Sequence, residues 1–391
     1  YGSDAIAGVV NYIMKDDFEG LELDAQTGIS DEGDYWQKKL SATFGFNFAD
    51  GRGNLAANVE WTDTPELRYS DRDIWRLRGS RVSAPNPDDM GPDDGVPDDI
   101  ELFDRRFYPF NANGVIWGRS GIPPCFAGAQ PAPITLCLTS ANGNNLQFSE
   151  DGQSVVPYDV GEYITIPFSS GGDGTPYGDL VGFRTGVERI TGNVLGHYDL
   201  TDRVRVVTEL NFARTVGTEL GQGFPTSVLT PVGTGQEAIR FTIDNPFLTP
   251  EAIATLSASN SSFASGGTLW LSKNFYSGLF PSDTTKNTTE TYRGLLGFEG
   301  DFDWGEHNVY WSLSGSFARV EGEASGYIAI RQNFYNAVDA VSDGSGGAVC
   351  AINADADPTN DDPACAAFNP FGVGNVSDAA RDYVTGLSGQ N

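Results

Sequence analysis

Strict alternation of apolar and polar side chains runs through several stretches of this chain. In KLSATFGFNF, Leu40, Ala42, Phe44, Phe46 and Phe48 fall on one face, and Ser41, Thr43, Gly45 and Asn47 on the other. A period of two over that length predicts a β-strand with one apolar side. GLELDAQTGI repeats the pattern with Leu21, Leu23, Ala25 and Ile29, and NLAANVEW with Leu55, Ala57, Val59 and Trp61. It returns in RITGNVLGHYDL (Ile190, Val194, Tyr198, Leu200) and RVRVVTELNFA (Val204, Val206, Leu210, Phe212). TYRGLLGFEGDF (Tyr292, Leu296, Phe298, Phe302) and NVYWSLSGSF (Val309, Trp311, Leu313, Phe317) complete about seven strands on this template.

The connections between these strands alternate in length. ADGRG, DLTDR and DWGEH are short turns rich in Asp and Gly, which accept tight backbone geometry. Apart from SDEGDY after the first strand, the other connections are long, covering about 64–184, 218–288 and 321–391. Short turns at one end and long loops at the other are the plan of an outer-membrane barrel. Alternation by itself fits a soluble sandwich equally well, since both have one apolar face. The aromatic residues at strand ends favour the membrane. Phe48, Tyr198, Phe302 and Trp304 sit beside short turns, with Trp61 and Tyr69 beside a long loop, as interfacial girdles require. The expected fold is therefore all-β: an antiparallel transmembrane β-barrel segment of about seven strands, an incomplete barrel with an open, curved sheet.

Composition narrows the function. The chain has 391 residues and a formal net charge of -29, which would repel a phosphate backbone, so nucleic acid is excluded as a partner. With 48 glycines and 12% aromatic residues it suits strands and turns more than helices. No run approaches the roughly 20 apolar residues of a membrane-spanning helix, so a membrane could be crossed only by strands.

The opening stretch YGSDAIAGVVNYIMK resembles the junction between plug and barrel in TonB-dependent outer-membrane receptors. Tyr1, Gly2, Ser3, Ala5, Ile6, Gly8, Val9, Val10 and Asn11 match that family's closing plug motif. NFYNAVDAV, FNPFGVGNVSDAARDYV and the long Asn- and Gly-rich connections also resemble a branch of the family. The resemblance implies that 1–17 is the end of a plug domain and 18–391 the N-terminal part of the barrel, so that the chain is a fragment. It implies a receptor in the outer membrane of a Gram-negative bacterium, which takes up a scarce solute such as a siderophore, cobalamin, carbohydrate or peptide. Its partners would be outer-membrane lipid, the small solute and the TonB energy-coupling complex, reached through the preceding N-terminal part. A passive porin or surface adhesin on a similar barrel is the alternative.

No enzyme is expected. Gly-x-Ser-x-Gly, His-Glu-x-x-His, P-loop and Cys-x-x-Cys motifs are all missing from the sequence. The two histidines, His197 and His307, lie far from any cysteine, and His197 falls on the polar phase of its strand. Two cysteine pairs, Cys125 with Cys137 and Cys350 with Cys365, are closely spaced inside long connections, as disulfides in an oxidising compartment would be. Asn-Pro-Phe precedes two predicted short helices, one capped by Thr249 with Pro250 behind it, the other capped by Ser377 and stopped by Gly386. WLSKNFYSGLF offers Trp270, Phe275, Tyr276 and Phe280 as contacts for a ligand, or as packing of a loop onto the barrel rim. In PNPDDMGPDDGVPDDIELFD the crowded carboxylates are a solvated acidic loop or else a Ca²⁺ site with Asp93, Asp94, Asp98 and Asp99 as its core. No other cofactor is expected.

Overall fold

A computed structural model describes residues 17–390, apart from 79, 87, 119–144, 166, 222, 232, 234, 276 and 277. The largest element is an eight-stranded antiparallel sheet whose strands follow chain order. Its members are β1 (Gly20–Gly28), β2 (Gln37–Phe48), β3 (Gly53–Thr64), β4 (Gly186–Thr201), β5 (Val204–Leu220), β6 (Thr284–Trp304), β7 (His307–Ala329) and β8 (Thr385–Gln390). All seven alternating stretches of the sequence are strands here, and β1 and β8 form open edges, so the sheet does not close. The all-β class stands.

Three features depart from the sequence expectation. β6 and β7 run 21 and 23 residues, well past their apolar stretches into segments that polar composition assigned to loops. Their outward positions there are Thr288, Glu290, Arg319, Glu321 and Glu323. Backbone pairing continues because the ladder bonds are made by N–H and C=O whatever the side chains are. Second, β8 is a further strand, pairing Thr385–Gln390 with Ala324–Ala329. Third, Gly386 does not stop a helix. The helix ends at Val384, Thr385 caps it, and Gly386 lies in β8 opposite Ile328.

The short turns at Ala49–Arg52, Asp202–Arg203 and Gly305–Glu306 lie at one end of the sheet. From the other end the long connections 65–185, 221–283 and 330–384 fold together into a second region with its own sheets and helices. Its central strand, Leu269–Asn274, pairs with Val115–Trp117 from the first connection and with Pro225–Thr226 and Ile239–Phe241 from the second. The third connection adds α1 (Arg331–Val338) and α2 (Asp378–Val384). Thr249 and Ser377 cap their helices as the sequence suggests, accepting from the amides of Ala252 and Ala380.

The hydrophobic core lies almost wholly in this second region. Phe148, Phe241, Phe334, Phe368 and Phe371 are buried there with Leu256, Leu269 and Leu271. Phe334 meets Phe224, Phe275 and Phe368 edge-on at 4.9, 5.7 and 5.6 Å, the arrangement that aromatic quadrupoles favour. Both Asn-Pro-Phe motifs work alike. The side-chain oxygens of Asn245 and Asn369 accept the amides of Phe247 and Phe371, turning the chain so that Phe371 enters the core. Arg72 fastens this region to the β1–β2 connection through a bidentate pair with Asp34, whose carboxyl it holds well below the usual carboxylate range.

Candidate functional site

The two faces of the eight-stranded sheet have opposite chemistry. Phe48, Leu55, Val59, Ile190, Leu210, Leu296, Phe298, Leu313 and Phe317 all stand on one side, and all are exposed. In register they form continuous rows, such as Leu21, Phe44, Ala57, Val194, Leu210, Gly294 and Phe317 across seven strands. Along β2 the band runs from Leu40 to Phe48, about 27 Å along the strand at ~3.4 Å per residue, which at the ~40° strand tilt of outer-membrane barrels is a height of about 21 Å, against roughly 25 Å for their lipid-facing band. It ends at a charged row on the loop side, where Arg214 pairs with Glu290. On the turn side it ends in aromatics. The rings of Phe48 and Tyr198 stack 5.9 Å apart across Gly53, and Trp304 is 73% exposed beside the last turn.

The opposite face is polar and hydrogen-bonded to itself. Thr43, Asn58, Asn193, Asn211 and Arg293 occupy one transverse row over five strands. Asn58 donates to Thr43 at 2.9 Å and Asn211 to Asn193 at 2.8 Å. The Arg293 guanidinium donates to Asn211 and Glu209 at 2.9 and 2.7 Å. Nearer the turns, His197 is buried on this face, its Nε2 3.4 Å from an oxygen of Asp17. Such a surface holds its side chains in fixed positions and can offer polar partners to water or a solute.

Among the sequence-predicted residues, Phe275 lies in the core of the second region, Phe280 packs against it from the side, and Trp270 packs on a smaller cluster around Tyr108, Val115 and Trp117. All three serve as packing, Phe275 and Phe280 in one cluster and Trp270 on another; Tyr276 lies outside the described residues, as do Tyr1, Gly2, Ser3, Ala5, Ile6, Gly8, Val9, Val10 and Asn11. Cys350 and Cys365 form a disulfide, with Cα atoms 6.3 Å apart. Cys125 and Cys137 lie outside the described residues.

The acidic loop is ordered by its own backbone. Asp94 accepts the amides of Met90 and Val96 at 2.7 Å each, which lowers its pKa, and Asp99 opens a strand that pairs with Val82–Pro85. Among the described residues no group of three or more His, Cys, Asp or Glu side chains is placed to hold a metal ion.

Sequence reasoning missed a cleft in the second region. Asn111, Gln147, Asp173, Asp179 and Asn274 come to it from four separated segments and enclose about 310 Å³. Only the unusual run SKN at the end of an apolar strand could have signalled it. Ser272, Lys273 and Asn274 are all buried, and the Lys273 ammonium donates to the carbonyls of Pro370 and Gly372. Burial pulls the Lys273 pKa down to about 7.

No family model matches this chain, and no curated protein matches it. No helix among the described residues is long and apolar enough to cross a membrane.

Proposed function

We propose that this protein is an outer-membrane receptor that takes up a scarce solute, with the eight-stranded sheet as barrel wall and the second region as its outer, ligand-capturing part. The observation that carries this reading is the inverted polarity of the sheet. A sheet in water turns its apolar face to a core, yet here Phe44 is 52% and Phe317 72% exposed while asparagines and an arginine fill the other face. Lipid is the solvent in which that arrangement is stable. The polar face then lines the passage, and its cross-strand ladder keeps it rigid against a solute or a plug.

The plug motif at Tyr1–Asn11 adds the energy coupling. In this reading the solute is held outside until a plug, moved through the TonB complex of the inner membrane, admits it. The chain's own part is selection by contacts in the outer region and lumen, with no covalent chemistry.

Expression in a Gram-negative host tests the reading in two steps. The protein should fractionate with the outer membrane and need detergent for extraction; recovery in the soluble fraction without detergent would sink the membrane assignment. Solute uptake that continues undiminished after loss of TonB would sink the active mechanism and leave a passive pore.

A further inference from the structure

Arginines gather at one place in this acidic chain. From Arg68 to Arg81 five of the fourteen residues are arginine, against two aspartates, in a protein of net charge -29. The segment includes the short helix Asp73–Arg78 and is built around aromatic rings. Trp75 packs on Phe183 with ring centroids 3.9 Å apart, Tyr69 meets Phe183 edge-on at 5.5 Å, and the Arg72 guanidinium lies 4.5 Å over the Trp75 ring.

Some of these cations are engaged within the fold. Arg68 pairs with Glu66 and Asp283 at 2.6 and 3.0 Å, Arg72 with Asp34 at 2.7 Å, and Arg81 with Glu101 at 3.3 Å. Burial raises the pKa of Asp179, and the nearby Arg76 opposes that rise. Arg78 and Arg184 are different: both are exposed, and neither has a carboxylate within salt-bridge distance among the described residues. Beside them stand exposed apolar side chains, Ile74 at 55% and Phe183 at 40%. Ile74, Trp75 and Arg78 lie three and four residues apart, so they share one side of the helix. Of the two aspartates, Asp71 accepts the Arg68 amide at 2.7 Å and Asp73 is exposed.

The platform adjoins the loop-side end of the sheet's apolar band. The Arg72–Asp34 pair holds it next to Trp36, whose indole donates to Thr27 and whose ring lies 5.9 Å from the Lys38 ammonium. Thr27 and Lys38 face each other in register and share the phase of Leu23 and Leu40, the apolar side of the sheet.

We propose that this surface binds the anionic phosphate groups of membrane-lipid headgroups where the band ends, with Arg78 and Arg184 on the phosphates and Ile74, Trp75 and Phe183 among the uppermost acyl carbons. The proposal rests on the outer-membrane reading of the sheet. Arginine matches phosphate geometry, and exposed apolar and aromatic side chains set beside free cations are the composition of a surface that lies in a headgroup layer. A soluble anion has no use for Ile74 and Phe183. A polynucleotide would meet the repulsion of the whole acidic chain beyond this small patch.

The test uses the whole protein purified in dodecyl maltoside and titrated with phosphatidylglycerol or with net-neutral phosphatidylcholine, the retained lipid being counted by native mass spectrometry. Phosphatidylglycerol should be held in preference, and Arg78→Gln and Arg184→Gln should each weaken its retention by about fivefold. Asp73→Asn, which removes the exposed carboxylate beside the platform, should strengthen it, a sign that general destabilisation would not produce. A photo-crosslinking side chain at Ile74 should label lipid in the outer membrane of the Gram-negative host. Equal retention of the two lipids, unchanged retention in both arginine variants, displacement of lipid by excess inorganic phosphate, or cross-linking at Ile74 to a polypeptide instead would overturn the proposal. Recovery of the protein without detergent sinks the membrane reading and this surface with it, whereas equal retention by detergent-extracted protein removes this surface alone.

Discussion

In the eight-stranded sheet Leu23, Phe44, Leu210 and Phe317 are exposed, and the asparagines lie opposite them; in the long connections Phe148, Phe334, Phe368 and Phe371 are wholly buried. Both regions belong to one chain and use the same residue types. The sheet has no second layer to bury its apolar rows, and its stability in water rests on the backbone ladder and polar cross-links. The connections behave as an ordinary globular domain, in which apolar area leaves water. The difference teaches that side-chain burial alone does not say what a region is made for. The solvent that the exposed rows are meant to meet must be read from their continuity and height.

The sharpest way to break this comparison is to truncate one phenylalanine in each region. Phe334→Ala should destabilise the connections by about 3–5 kcal/mol, because it removes a fully buried ring with three aromatic neighbours. Phe44→Ala should change their unfolding little, whereas Phe44→Arg should weaken insertion of the sheet into a bilayer by about 2–4 kcal/mol near its midplane. Hydrogen exchange followed separately in the two regions reads both effects. Equal loss of protection in both regions after Phe334→Ala would mean that they are one cooperative unit.

The disulfide gives the next effect. Cys350 and Cys365 close a 15-residue separation, worth about 3 kcal/mol by chain entropy. Reduction should lower the thermal midpoint of the connections and leave exchange in β2 to β5 unchanged; no shift on reduction would show that α1 and α2 are held by packing alone.

Lys273 gives a pH dependence that only the connections should show. Its folded pKa of about 7 lies below the ordinary lysine value, so between those values the unfolded chain binds a proton that the folded chain does not. Stability therefore rises with pH across that window, by about 2 kcal/mol from pH 7.5 to 9 at ~1.4 kcal/mol per unit. The neutral amine still has two hydrogens for the carbonyls of Pro370 and Gly372. Tyr335, pushed up to about 12 by burial and by Glu237, stays protonated over this range. Thermal melts of Lys273→Met should lack the slope; an identical slope in both proteins would place the titration elsewhere.

These regions were unequally legible in the sequence. Period-two alternation marked each long strand of the sheet because one face is mainly apolar and the other mainly polar, with Leu195, Val207 and Leu295 as exceptions on the polar side. The same signal failed beyond Tyr292 on β6, where both faces are polar, and beyond Phe317 on β7, where the outward positions turn to Arg319, Glu321 and Glu323 while Ala318, Val320, Gly322 and Ala324 take the other face. In the connections, strands such as Val115–Trp117 and Asn145–Phe148 are three and four residues long, too short for periodicity to register. Helix caps at Thr249 and Ser377 were readable since capping is local chemistry. The cleft was not, because Asn111, Gln147, Asp173, Asp179 and Asn274 meet only through pairings between distant segments. WLSKNFYSGLF shows the same limit: its aromatics read equally as ligand contacts or packing until Phe275 is seen among Phe224, Phe334 and Phe368.

The smallest effect tests whether the aromatic end of the sheet's apolar face is built or incidental. Gly53 lies in register between Phe48 and Tyr198, whose rings stack over it with an interplanar angle of 3°. A Cβ added at Gly53 would meet the Phe48 ring at 2.5 Å, so alanine must push the ring off Tyr198. Overpacking of this kind costs typically about 1–3 kcal/mol. Gly192 is the matched comparison: it sits on the same face, between Val59 and Phe212, and a Cβ there meets nothing within 4 Å. Gly192→Ala should be neutral or stabilise by about 0.4–1 kcal/mol, since it restricts the unfolded chain without a clash. Exchange at Tyr198 and near-ultraviolet dichroism should therefore change in Gly53→Ala and not in Gly192→Ala. If both variants leave Tyr198 unaltered, the stack is free to move and the glycine has no packing role at that edge of the band.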